Sequence, residues 1–151
     1  MLILGIESSC DDTGVALVND GKNIIHNTLI SQTEIHSTFG GIVPEVAARQ
    51  HIIALGSILK EYKDLNLLEN IDGVAVTKGP GLAGSLLVGV NYAKALSYAL
   101  DVPVRGINHL SGHIHAAWIN RIERIQFPVI ALLVSGGHSE LSLLNSHNDR
   151  I

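Results

Sequence analysis

Apolar and polar stretches alternate along the chain in a way that predicts short strands separated by three longer helices. LILGIE (2–7) is a brief apolar run that reads as a buried strand. SSCDDT breaks it with polar turn-formers, and GVALVN (14–19) predicts a second strand. Asp20-Gly21 is a hairpin signal, from which KNIIHNTLIS (22–31) returns as a third strand. Residues 32–45 read as a loop, with Pro44 suited to the first turn of a helix. Ala48, Ile52, Leu55, Leu59 and Tyr62 then recur at helical spacing, which places Arg49, Gln50, His51 and Lys60 on other faces. DGVAVT (72–77) predicts a strand, residues 82–100 an apolar helix, and VPVRGI (102–107) another strand. NHLSGHIHAAWINRI predicts a helix capped by Asn108. PVIALLVS (128–135) and ELSLL (140–144) are strands on either side of a Gly-Gly-His turn.

The order is βββαβαβα followed by strand, turn and strand, which predicts an α/β domain on a mixed sheet. The last two strands repeat the strand–turn–strand opening at residues 2–19 and read as the start of a second unit. The expected division is a first lobe over 1–126 and the incomplete opening of a second over 127–151. In that division the apolar run Val129–Val134 must pack on the first lobe, pair with a partner or lie exposed, so marginal stability is expected.

Composition narrows the class. Of 151 residues, 46% are apolar and 16% charged, enough for a packed core and too apolar for a disordered chain. A single cysteine, Cys10, excludes an internal disulfide and suits a reducing compartment, so a cytoplasmic protein is expected. The first residues lack the basic start of a secretory signal, and no apolar run approaches the ~20 residues of a membrane span. With a net charge of −4 and scattered Lys and Arg, no basic stripe marks an autonomous nucleic-acid binder.

Four motifs carry candidate chemistry. GIESSCDDTG (5–14) places hydroxyls, backbone N–H groups and carboxylates at a turn between strands. GPGLAG (79–84) matches a dinucleotide fingerprint in strand–helix context. Pro80 removes a needed donor, however, and Asn108-His109 stands where an acidic residue should close the next strand, so tight turning and close helix packing are the expected roles. HLSGH sets His109 and His113 one helical turn apart, where two imidazoles can share an ion, although two ligands do not complete a site. His115 lies about 200° around the helix from His113 and cannot easily join them. LVSGGHSE runs a strand into a turn whose small residues admit close approach and whose N–H groups can hold an anion, as any Gly-Gly hairpin also could.

Together, GIESSCDDTG, GGIVPEVAARQH, GPGLAGSLLVG, NHLSGH and ALLVSGGHSE, in this order, resemble the TsaD family, in its bacterial or organellar form. The resemblance covers essentially the whole chain. It implies the ASKHA fold, an actin-like and ribonuclease-H-like two-lobed architecture, here with a mixed-sheet first lobe and the opening hairpin of the second. It implies transfer of threonylcarbamoyl from threonylcarbamoyl-adenylate to N6 of the adenosine beside the anticodon in tRNAs reading ANN codons. His109 and His113 match the family's metal ligands, for iron(II) or alternatively zinc(II). Leu133, Val134, Ser135, Gly136 and Gly137 match a substrate-binding loop, and Asp11 matches a first-loop carboxylate implicated in activity. A TsaB-like paralogue, a TsaE-like ATPase and tRNA are the implied partners, with no membrane.

Two departures bear on activity. Ser111 stands where the family's HxEGH has Glu. The family chain is about twice as long, and its third metal ligand, an Asp, lies in the second lobe, so this chain alone is expected to be inactive. Two other functions compete. A non-catalytic TsaB-like dimerisation partner would lack the HxxxH and SGGH motifs found here. A metalloprotease would need a Glu base and a third ligand that the motif does not supply.

Overall fold

A computed structural model of the chain describes residues 1–119, 125–134, 139–147 and 149–151. Three antiparallel strands open it: β1 (Leu2–Glu7), β2 (Asp12–Asn19) and β3 (Asn23–Ser31). The β2–β3 turn uses Asp20 and Gly21 at φ of 52° and 67°, the left-handed pair that a tight hairpin needs. A short helix α1 (Thr33–Ser37) and the long helix α2 (Pro44–Asp64) follow, with Pro44 at the helix start. Then come β4 (Gly73–Gly79), α3 (Ala83–Leu100), β5 (Val104–Asn108) and α4 (His109–Ala116). The five strands form one mixed sheet in the order β3-β2-β1-β4-β5, with β4 and β5 parallel to β1. A separate antiparallel sheet contains β6 (Val129–Val134), β7 (Ser139–Ser146) and β8 (Asp149–Arg150). No helix among the described residues is long and apolar enough to cross a membrane.

The strand period of two divides the main sheet into unlike faces. Leu4, Ile6, Val15, Leu17, Val74 and Val76 point to one side and are buried with Leu55, Ile58 and Tyr62 of α2 and Ala93 of α3. The Tyr62 hydroxyl satisfies itself in this core by donating to the Val15 carbonyl at 2.7 Å. The opposite side carries Gly5, Gly14, Ala16 and Ala75, and these line an apolar hollow of about 380 Å³ bordered by Gly112, His113 and Ala116 of α4.

Several sequence expectations require correction. The segment at 32–45 is not all loop, because α1 occupies five of its residues. The buried face of α2 is Ala47, His51, Ala54, Leu55, Ile58 and Tyr62, whereas Ile52 is half exposed. Apolar spacing alone misplaced that stripe because His51, a polar residue, is fully buried through its hydrogen bonds. Helix α4 ends at Ala116, earlier than the apolar pattern suggests, and the Gly-Gly-His turn lies outside the described residues. Strand β8 was not anticipated, since a two-residue strand has no period to read.

The small sheet is one-sided. Ile130, Leu132 and Val134 of β6 and Leu141 of β7 are each more than two-thirds exposed and share one face. Exposed apolar stripes of this kind promote association with other apolar surfaces. Replacing Leu132→Glu together with Leu141→Lys is therefore expected to lower concentration-dependent light scattering of this chain. Each change should cost no more than about 0.5 kcal/mol of stability in urea melts, because both side chains face solvent.

Candidate functional site

The site forms where parallel strands end. Glu7 closes β1, Thr77 lies near the end of β4, and Asn108 closes β5, all at the carboxyl edge of the sheet. Open α/β sheets place ligands outside this edge.

The turn at residues 8–11 is fixed there from three sides. The Ser8 hydroxyl donates to the Ser85 carbonyl of α3 at 2.9 Å, and the Leu82 N–H donates to the Ser9 carbonyl at 2.8 Å. The GPGLAG segment approaches so closely that a Cβ on Gly81 would lie 2.5 Å from the Ser9 carbonyl oxygen. One turn along α3, a Cβ on Gly89 would collide with the Ser8 hydroxyl. The glycines of this motif thus serve backbone approach, not a pyrophosphate. From the other side, His51 Nε2 lies 3.0 Å from the Cys10 carbonyl, which can only accept, so Nε2 carries the proton. Its Nδ1 then accepts from the Thr13 hydroxyl at 2.7 Å. The Gln32 N–H donates to the Asp11 carbonyl at 3.2 Å, and the Gln32 side chain continues the buried polar chain to His36 at 3.0 Å.

The two histidines of HLSGH follow β5 directly. Asn108 Oδ1 accepts from the Ser111 N–H at 3.1 Å and caps α4, fixing where the helix begins. His109 and His113 then stand one turn apart with their Nε2 atoms 3.0 Å from each other. Two nitrogens bound at ~2.0–2.1 Å to one ion lie roughly 3 Å apart, so the pair fits two ligands of one metal. His115 is turned away, with its Nδ1 2.8 Å from the Ser111 carbonyl and its ring edge-on to Trp118. Ser111 accepts from Arg150 of β8 at 3.3 Å, and Arg150 also pairs with Glu140.

Glu7 stands behind this pair. Its carboxylate accepts from the Ser9 N–H at 2.5 Å, the Thr77 hydroxyl at 2.6 Å and His109 Nδ1 at 3.1 Å. Burial pushes its pKa up, but the hydrogen bonds from Ser9, Thr77 and His109 outweigh burial and hold it below the ordinary carboxylate range. Sequence reasoning missed Glu7, Ser9 and Thr77. The available signal was a carboxylate ending an apolar strand, LILGIE, at the sheet's functional edge.

A cleft of about 350 Å³ brings Ser9, Cys10 and Gly81 together with His109, His113, Leu133 and Val134. Four of the anticipated site residues therefore share one cavity. Ser135, Gly136 and Gly137 lie outside the described residues. Asp11 does not line the cleft. Next to it, one buried carboxylate oxygen of Asp12 has no hydrogen-bond partner among the described residues. Among those residues no group of three or more His, Cys, Asp and Glu is placed to hold a metal, and His109 and His113 stand as a pair.

Burial, the Asp11 hydrogen bond and the Asp11 and Asp12 charges raise the Cys10 pKa, which argues against a thiolate nucleophile. Alkylation depends on the thiolate, so its rate–pH curve for Cys10 should rise at higher pH than that of a free thiol. Asp11→Asn should move the curve back toward lower pH, as stopped iodoacetamide time courses would show. Identical curves for both proteins would place the Asp11 carboxylate elsewhere.

A family model described as TsaD, tRNA N6-adenosine threonylcarbamoyltransferase, matches residues 23–150. Proteins of that name from Bacillus anthracis and Staphylococcus saprophyticus are each 50% identical over 149 residues, covering 97% of this chain and 43% of theirs. The one from Dehalococcoides mccartyi is 49% identical over 150 residues, covering 97% of this chain and 45% of its own. The chain thus spans less than half the length of the curated relatives it matches. Among solved structures, a Pseudomonas aeruginosa protein similar to the peptidase YeaZ superposes with a TM-score of 0.53 at 16% identity, covering 95% of this chain and 66% of its own. The Ppx/GppA family member of Aquifex aeolicus superposes with a TM-score of 0.51 at 17% identity, covering 100% and 50%. These likenesses show the ASKHA, ribonuclease-H-like fold. On the family match over most of its length, the chain belongs to the TsaD family.

Proposed function

We propose that this chain is the N-terminal part of a cytoplasmic tRNA N6-adenosine threonylcarbamoyltransferase. It would contribute two metal ligands and one wall of the substrate cleft. The observation that carries this reading is the convergence of His109, His113, Leu133 and Val134 on one cleft at the carboxyl edge of the sheet.

The reaction would be an acyl transfer. The N6 amine of the tRNA adenosine attacks the carbamoyl carbon of threonylcarbamoyl-adenylate, the bond to the phosphate oxygen breaks, and AMP leaves. The amine loses one proton as the new C–N bond forms. Asp11 is the candidate to position the carbamoyl group or to take that proton. Leu133 and Val134 border the space where the acyl group would lie. His109 and His113 would hold a divalent ion, iron(II) or zinc(II), which supplies Lewis-acid polarisation of carbamoyl or phosphate oxygens when bound. Imidazole ligands suit either metal. The third protein ligand is assigned to the part of the relatives beyond the matched region. By family resemblance, a TsaB-like paralogue and a TsaE-like ATPase would be needed to bring tRNA to the site, which accords with the net charge of −4.

The test joins this chain to the C-terminal part of a full-length relative and expresses it with its partners in cells depleted of their own enzyme. Digested tRNA is then read by mass spectrometry. Threonylcarbamoyladenosine should be restored by the intact sequence and reduced at least 100-fold by His109→Ala with His113→Ala. A folded, partner-bound hybrid that yields none would overturn the reading.

A further inference from the structure

We propose that Glu7 is a positioning residue that fixes the proton of His109 on Nδ1 and thereby aims a free Nε2 at the metal position. This rests on the metal reading of the preceding section and extends it to a residue outside the ligand pair.

The hydrogen-bond inventory carries the inference. An ionised carboxylate can only accept, so the 3.1 Å contact between Glu7 Oε2 and His109 Nδ1 requires the proton on Nδ1. In the neutral ring that leaves Nε2 with its lone pair, the form a metal ligand needs. The same Nε2 faces His113 Nε2 at 3.0 Å. Without a metal, His113 donates its Nε2 proton across that gap. A carboxylate behind a ligating imidazole is a recurrent second layer that orients the ring and raises its basicity.

Glu7 is itself held for this task. Its Oε1 is taken by the Ser9 N–H and its Oε2 by the Thr77 hydroxyl, so the carboxylate is locked by two neighbouring elements before it meets His109. Both oxygens are engaged, which argues against Glu7 as a direct ligand. The Ser9 hydroxyl lies 3.2 Å from the same His109 nitrogen, where with Nδ1 protonated it takes a share of that one N–H as a second acceptor.

The test uses the intact protein in two measurements. Long-range ¹H–¹⁵N correlation spectra of the metal-free protein report which nitrogen of His109 is protonated. Zinc(II) affinity is measured by competition with a chromophoric chelator for the wild type, Glu7→Gln, Glu7→Ala, Thr77→Val and His113→Ala. The expected wild-type spectrum shows His109 protonated on Nδ1, shifting toward Nε2 in Glu7→Ala. Zinc affinity should fall 10–100-fold in Glu7→Ala, less in Glu7→Gln, which keeps an acceptor oxygen but not the charge. Thr77→Val, which frees Glu7 without touching His109, should give a smaller loss. Should Glu7→Ala fail to fold, Glu7→Gln and Thr77→Val decide. A wild-type His109 protonated on Nε2, or zinc affinity in the Glu7 variants within twofold of wild type while His113→Ala loses it, overturns this proposal alone. Unchanged affinity in His113→Ala overturns the metal reading and this inference with it.

Discussion

The floor of the site depends on one hydrogen-bonded four-residue turn. Residues 8–11 leave β1 and return as β2, and the backbone of α3 seals them from one side while His51 of α2 holds them from the other. Ser8 and Ser9 are buried polar residues, and leaving such a group without its partner costs about 1–3 kcal/mol. The turn is therefore held by bonds that cannot be exchanged for water. Because it is fixed, Glu7 just before it and Asp11 at its end have defined places, and the cleft has a rigid floor at Ser9, Cys10 and Gly81.

This constraint explains residues that look unrelated in the sequence. Gly81 and Gly89 are small because the turn lies against them. His51 is buried in an otherwise apolar helix face because a carbonyl and a hydroxyl must be satisfied there. The chain of polar groups then runs through Gln32 to His36, so the end of β3, α1 and the first turns of α2 are tied to the same centre.

The first two strands could be read from apolar periodicity, because β1 and β2 bury every second residue, whereas β3 buries none of its residues. The hairpin at Asp20-Gly21 was legible from turn chemistry. The buried face of α2 was not, since a hydrogen-bonded histidine breaks the equation of buried with apolar. The site was half legible. His109 and His113 announce themselves by spacing, and Leu133 and Val134 by the resemblance of their motif. Glu7 did not, because its role comes from strand β4 and helix α4 meeting the end of β1, a juxtaposition that no local pattern encodes. Asp11 was named from motif alone, and the fold sets it beside Cys10 and outside the cleft lining.

Two histidines, a carboxylate hydrogen-bonded behind them and an apolar hairpin with one exposed face meet at the carboxyl edge of the sheet. The central claim is that His109 and His113 share one ion. Anomalous diffraction at the zinc absorption edge, from crystals of the intact protein soaked in zinc(II), tests it most directly. The account predicts one strong peak within bonding distance of both Nε2 atoms and none on Glu7. A peak that contacts neither histidine, or no peak at saturating zinc(II), would contradict it.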